Sequence, residues 1–65
     1  LVKNRLKEIL DNRGIKQTWL AEQCEISNKT ISNIVKNTYS TSLEVALKIA
    51  KALELNVEDI FQLIQ

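Results

Sequence analysis

No covalent staple is open to this chain. Its 65 residues include one cysteine and no histidine, so it can close no internal disulfide and has no thiol–imidazole set for a zinc site. A chain this short buries little core and normally needs a disulfide, a metal or closely packed helices to hold a fold. Only the helices remain. The composition suits them: there is no proline, one glycine, and an abundance of Leu, Ile, Ala, Lys and Glu. The expectation is one compact all-α domain spanning residues 1–65, with no strands.

The same inventory narrows function. Without histidine the commonest general base is missing, and Cys24 has no imidazole to activate it, so the chain is not expected to be an enzyme. Cys24 falls on a helical apolar stripe and reads as a small buried hydrophobe. A free thiol without a secretion signal fits a reducing cytoplasm. No apolar run approaches the roughly 18 residues of a membrane span. Net charge is only +1, but its distribution is uneven. The stretch between Ser27 and Leu43 holds two lysines and no acid, an arrangement that suits contact with phosphates.

Five helices can be traced from periodicity and end signals. Val2, Leu6, Ile9 and Leu10 predict a first helix over about 2–12, with Arg5–Glu8 and Lys7–Asp11 as outer pairs and Gly14 as its left-handed stop. The second covers about 17–24, with Leu20, Ala21 and Cys24 inward. Ser27 caps a third, about 28–36, with Ile31, Ile34 and Val35 inward and Asn28, Lys29, Ser32, Asn33 and Lys36 outward. A polar loop over 37–41 follows, Asn37 being a candidate left-handed cap. Ser42 caps a fourth, about 43–53, with Leu43, Ala46, Leu47, Ala50 and Leu53 inward. Asn56 and Asp59 form a capping box for a fifth, whose apolar face is Ile60, Phe61 and Ile64.

Residues 17–36 therefore pair two short helices through a tight turn, the pattern of a helix-turn-helix. In that unit the second helix enters the major groove, the only groove that distinguishes all four base pairs. It needs a polar outer face and an apolar inner one, and the third helix has both.

The stretch Gln17-Thr-Trp-Leu-Ala-Glu-Gln-Cys-Glu-Ile-Ser-Asn-Lys-Thr-Ile-Ser-Asn-Ile resembles the core pattern of the lambda Cro/C1 (Xre-type) repressor family, Q-x-x-L-A-x-x-x-G-[VI]-S-x-x-T-I-S-x-[IW]. The likeness continues through Ser42-Leu-Glu and Leu47-Lys-Ile-Ala-Lys-Ala-Leu to Glu58-Asp-Ile-Phe. The resemblance implies a five-helix lambda-repressor-like fold that binds double-stranded DNA without a cofactor. It implies backbone and nearby base contacts for Gln17, and base reading by Asn28, Lys29 and Asn33. Secondary contacts fall to Ser27, Thr30 and Ser32. Lys36, Asn37, Thr38, Tyr39 and Ser40 match a phosphate-gripping loop. Local roles compete at some of these positions. Ser27 caps its helix with or without DNA, and Thr30 can support the first turn. Tyr39 is divided between the core edge and the sugar-phosphate backbone. Trp19 is expected to pack over helix one rather than to lie beside DNA.

Departures from the pattern are informative. Glu25 and Glu54 stand where the family has glycine, which implies two strained left-handed residues at roughly 1 kcal/mol each. Lys16 replaces a capping serine and puts a cation at a helix start. An arginine near the end of helix one and a glutamate near the end of the recognition helix often form an ion pair in the family. Here those positions are Leu10 and Val35, so both charges are gone together and the two side chains are expected to touch.

The expectation is a transcriptional regulator, most simply a repressor. The competing reading is a protein-interaction or antitoxin-type module built on the same fold, with DNA contact secondary. One such domain reads few base pairs, so a homodimer on an inverted-repeat operator is expected. Phe61, Leu63 and Ile64 make the fifth helix the candidate dimer surface.

Overall fold

The computed structural model describes residues 2–36 and 41–64. Along the chain it runs β1 (Val2–Asn4), α1 (Leu6–Arg13), α2 (Gln17–Cys24), α3 (Asn28–Val35), α4 (Leu43–Leu53), α5 (Val57–Ile60) and β2 (Phe61–Leu63). The helices close on one apolar cluster. Its centre is Leu6, Leu20, Ile31, Ile34, Ile49 and Ile60, all essentially inaccessible to solvent, with Leu10, Ala21, Cys24, Ala50 and Leu53 beside them. No side-chain polar atom in the described interior lacks a hydrogen-bond partner.

Three of the helices stop in the same way. At the ends of α1, α2 and α4 a residue turns left-handed and the next amide reaches back five residues: Ile15 to the Leu10 carbonyl, Ile26 to that of Ala21, Leu55 to that of Ala50, at 2.9–3.0 Å. Ile15, Ile26 and Leu55 then pack on the core, as this motif requires. The left-handed residues are Gly14 (φ 66°), Glu25 (φ 56°) and Glu54 (φ 56°). Only the first has the residue that adopts this conformation without penalty. Glu25→Gly and Glu54→Gly should each stabilise the fold by about 1 kcal/mol. In a domain of this size that appears as a rise of several degrees in the thermal midpoint. Gly14→Ala should move the midpoint the other way, through backbone strain alone, because an added methyl there meets nothing within 4 Å.

Two expectations fail at the chain ends, for a common reason. Val2–Asn4 is a strand rather than the first turn of a helix, and it pairs antiparallel with Phe61–Leu63, in the register Val2↔Leu63, Lys3↔Gln62, Asn4↔Phe61. The mostly helical architecture stands, but it carries a two-stranded ribbon that helical periodicity hid. Asn4 offers its side-chain oxygen to the Leu6 amide (3.1 Å), so the helix starts only after it. At the other end the Ile60 carbonyl accepts the Arg5 amide (2.8 Å), Phe61 turns extended, and α5 stops after four residues. The fifth helix as expected, carrying Phe61 and Ile64 on one face, does not form.

Helix α4 corrects a third point. Its bounds are as expected, but its inward stripe is Ala46, Ile49, Ala50 and Leu53. Leu43 and Leu47, expected inside, are 72% and 53% exposed. Small residues line the seam: Ala21 and Cys24 of α2 and Ala46 and Ala50 of α4 are all buried. The helices can approach closely there, and Ile49 supplies the bulk.

Candidate nucleic-acid interface

Helices α2 and α3, joined through Glu25, Ile26 and Ser27, form a helix-turn-helix. The turn is fixed at three points: Glu25 is left-handed, the Ile26 amide is bonded back to Ala21, and Ser27 is extended (φ −74°, ψ 153°). The Ser27 hydroxyl oxygen accepts the Thr30 amide at 3.1 Å and lies 2.8 Å from the Thr30 hydroxyl. The local roles foreseen for Ser27 and Thr30 are therefore real, and both side chains sit at the mouth of α3.

Along α3, Ile31 and Ile34 are buried and Val35 is partly buried on the same side. Helical geometry places Lys29, Asn33 and Lys36 on the opposite face. Lys29, Lys36 and Asn28 are exposed, while Asn33 and Ser32 are half-buried. Gln17, the first residue of α2, is exposed beside them in sequence order. Lys16 precedes it in extended conformation and, as its chemistry dictates, provides no side-chain cap for α2. The expectations on Asn37, Thr38, Tyr39 and Ser40 fall outside the described residues.

Arg5 and Glu8 form the expected pair at 3.2 Å. The hydrogen bond, then the charge, of Arg5 holds the Glu8 carboxyl below its ordinary range. Burial pushes the Cys24 thiol up, away from the reactive thiolate. Among the described residues no group of His, Cys, Asp and Glu could hold a metal ion, and no helix is long and apolar enough to cross a membrane.

Periodicity missed two residues that bind the unit together. Asn4 donates from Nδ2 to the Ile34 carbonyl at 2.7 Å, thirty positions away. Arg13 donates from Nη1 to the Leu53 carbonyl at 2.8 Å, closing the end of α4. An asparagine two residues before a helix amide is a recognisable start signal, but the Val2–Leu6 spacing outweighed it. For Arg13 no signal names the partner. Trp19 is 42% exposed and lines a groove with Lys48, Lys51 and Ala52 of α4.

A short helix locked at its entry, packed on one side and lined with Lys, Asn and Ser on the other, defines the class: a helix-turn-helix nucleic-acid-binding domain. Residues 5–65 match the Cro/C1-type HTH DNA-binding domain family, and the chain belongs to it. It is 39% identical over 62 residues to YgzD of Bacillus subtilis, an uncharacterized HTH-type transcriptional regulator, covering 95% of this chain and 94% of that one. An uncharacterized HTH-type transcriptional regulator of Methanocaldococcus jannaschii is 40% identical over 60 residues, covering 92% of this chain and 91% of the relative. A crystal structure of a Bacteroides fragilis protein superposes with a TM-score of 0.85 at 31% identity, covering 95% of this chain and all of the other.

Proposed function

We propose that this protein is a transcriptional regulator, acting as a repressor, that binds double-stranded DNA sequence-specifically by inserting α3 into the major groove. The observation that carries the reading is the two-sided α3: Ile31 and Ile34 anchor it in the core while Lys29, Asn33 and Lys36 project away. Lysine suits the O6 and N7 acceptors of guanine, and asparagine pairs bidentately with adenine. Gln17, Asn28 and Ser32 flank this face. Ser27 and Thr30 order the first turn and stand near enough in sequence to add contacts. Asn37, Thr38, Tyr39 and Ser40 complete the phosphate grip. The protein needs no cofactor for this and catalyses nothing. Selection from a random duplex pool tests it: a defined motif supports the reading, and recovery of unselected sequence refutes it.

The regulator works as a homodimer on an inverted repeat, with half-sites about 34 Å apart. The candidate surface is no longer a fifth helix. Leu63 is 77% exposed, Ile64 40% and Val2 49%, which puts one exposed apolar group on the terminal ribbon and just beyond it, apart from Leu43 and Leu47 on α4. A second copy would cover that group and make the second half-site contact effectively intramolecular. Sedimentation of the wild type and of Leu63→Glu checks this. The expected result is a dimer that the substitution converts to monomer, with loss of cooperative DNA binding. A wild-type monomer at high concentration, with cooperative binding untouched by Leu63→Glu, would remove the ribbon as the interface.

A further inference from the structure

Asn4 closes β1, where the chain leaves the ribbon for α1, and both ends of its carboxamide are engaged. Nδ2 donates to the Ile34 carbonyl at 2.7 Å, near the end of α3, and Oδ1 accepts the Leu6 amide at 3.1 Å, at the start of α1. We infer that Asn4 is a positioning residue for base recognition: from outside the helix-turn-helix it sets the pose of the recognition helix. The inference rests on the DNA reading proposed above.

The last carbonyls of any α-helix have no partner within it. In α3 the Ser32 carbonyl takes the Lys36 amide at 3.1 Å, and the Ile34 carbonyl takes Asn4. The carboxamide is planar and its other end is fixed on α1. Satisfying both bonds therefore sets distance and angle between the end of α3 and the start of α1 together.

Apolar packing does not do this as well. Leu10 and Val35, at the positions of the family's ion pair, are both apolar. Apolar contacts are non-directional and let a helix roll or tilt. The Asn4 bonds supply direction. With the donor removed, the Ile34 carbonyl loses its bond to β1, and the direction that bond imposes on the end of α3 goes with it.

The consequence is graded along α3. Its eight residues span about 12 Å, so a tilt of about 10° at the Ser27 end displaces the far end by about 2 Å. Hydrogen bonds to base edges tolerate a few tenths of an ångström. Flexible lysine contacts to phosphate tolerate far more. Loss of Asn4 should thus erode sequence preference, most at the base read by Asn33 and least at that read by Lys29, while leaving general DNA affinity in place.

The test compares affinity for the selected duplex with affinity for a scrambled one, at a temperature where circular dichroism shows every variant folded. Asn4→Ala and the isosteric Asn4→Asp both lack the donor. Each should lower the specific-to-scrambled ratio about tenfold, the loss of one base contact, with scrambled affinity and salt dependence retained. Arg13→Gln is the control for stability, since it breaks a 2.8 Å tie between α1 and α4 instead. It should lower the thermal midpoint and leave the ratio alone. Should the first two variants fail to fold, Asn4→Thr, a good strand residue without the amide donor, is read in their place. A ratio unchanged in the Asn4 variants, or reduced equally by Arg13→Gln, overturns the inference. A wild type that binds both duplexes equally removes the DNA reading itself, and the inference with it.

Discussion

Lys29→Ala and Asn33→Ala are each expected to cost about 1–3 kcal/mol on the preferred site and to relax preference at one base position. Lys36→Ala, at the end of α3, is expected to weaken binding to all sequences alike and to reduce the salt slope by about one. The division follows from place on the helix. Lys29 is exposed on the first turn, two residues after the Ser27 cap, where a recognition helix reaches base edges. Lys36 follows the last helical residue, away from the entry of α3. Fluorescence anisotropy on single-base variants of the selected duplex, at several salt concentrations, separates the outcomes. A uniform loss for both Lys29→Ala and Lys36→Ala would show that α3 holds phosphates rather than reads bases.

How much of this was legible in the residues depends on whether local chemistry or long-range pairing decided the outcome. The helix-turn-helix was legible because each of its signals is local. Leu20, Ala21 and Cys24 lie one turn apart, Ser27 stands before the helix it caps, and Ile31, Ile34 and Val35 repeat at helical spacing. The left-handed turns at Glu25 and Glu54 were legible from the family pattern and bear the same φ, 56°, despite the wrong residue. The ribbon was not legible. Val2 is separated from its partner Leu63 by almost the whole chain, and three-residue strands carry too few positions to show alternation. Helix α4 failed in a third way. Leucines at 43 and 47 and an isoleucine at 49 permit two apolar stripes, and only the closeness of α2 decides which faces in. The polar outer face of α3 was legible as residue types. The bond from Asn4 to Ile34 was not, because nothing local distinguishes that asparagine from a solvated one.

The largest effect on stability is expected from Leu10→Arg. Leu10 is 2% exposed and belongs to the central cluster, and Val35 of α3 packs on that cluster from the neighbouring helix. An arginine at position 10 would put a charge into this seam with nothing to neutralise it. The expected loss is about 3–5 kcal/mol, enough to unfold most of a domain this small. Adding Val35→Glu should return much of that loss, because it restores the arginine–glutamate pair that the family resemblance implies at these positions and supplies a bidentate partner for the guanidinium. Val35→Glu alone should also destabilise, though less, since Val35 is only partly buried and its carboxylate can reach water. Reversible denaturation of the wild type, both single variants and the double variant yields the coupling directly. Strong positive coupling places the side chains of residues 10 and 35 in contact across the α1–α3 seam. Additive losses would place them apart, and α3 would then be held against α1 by Ile31, Ile34 and the Asn4 bond alone.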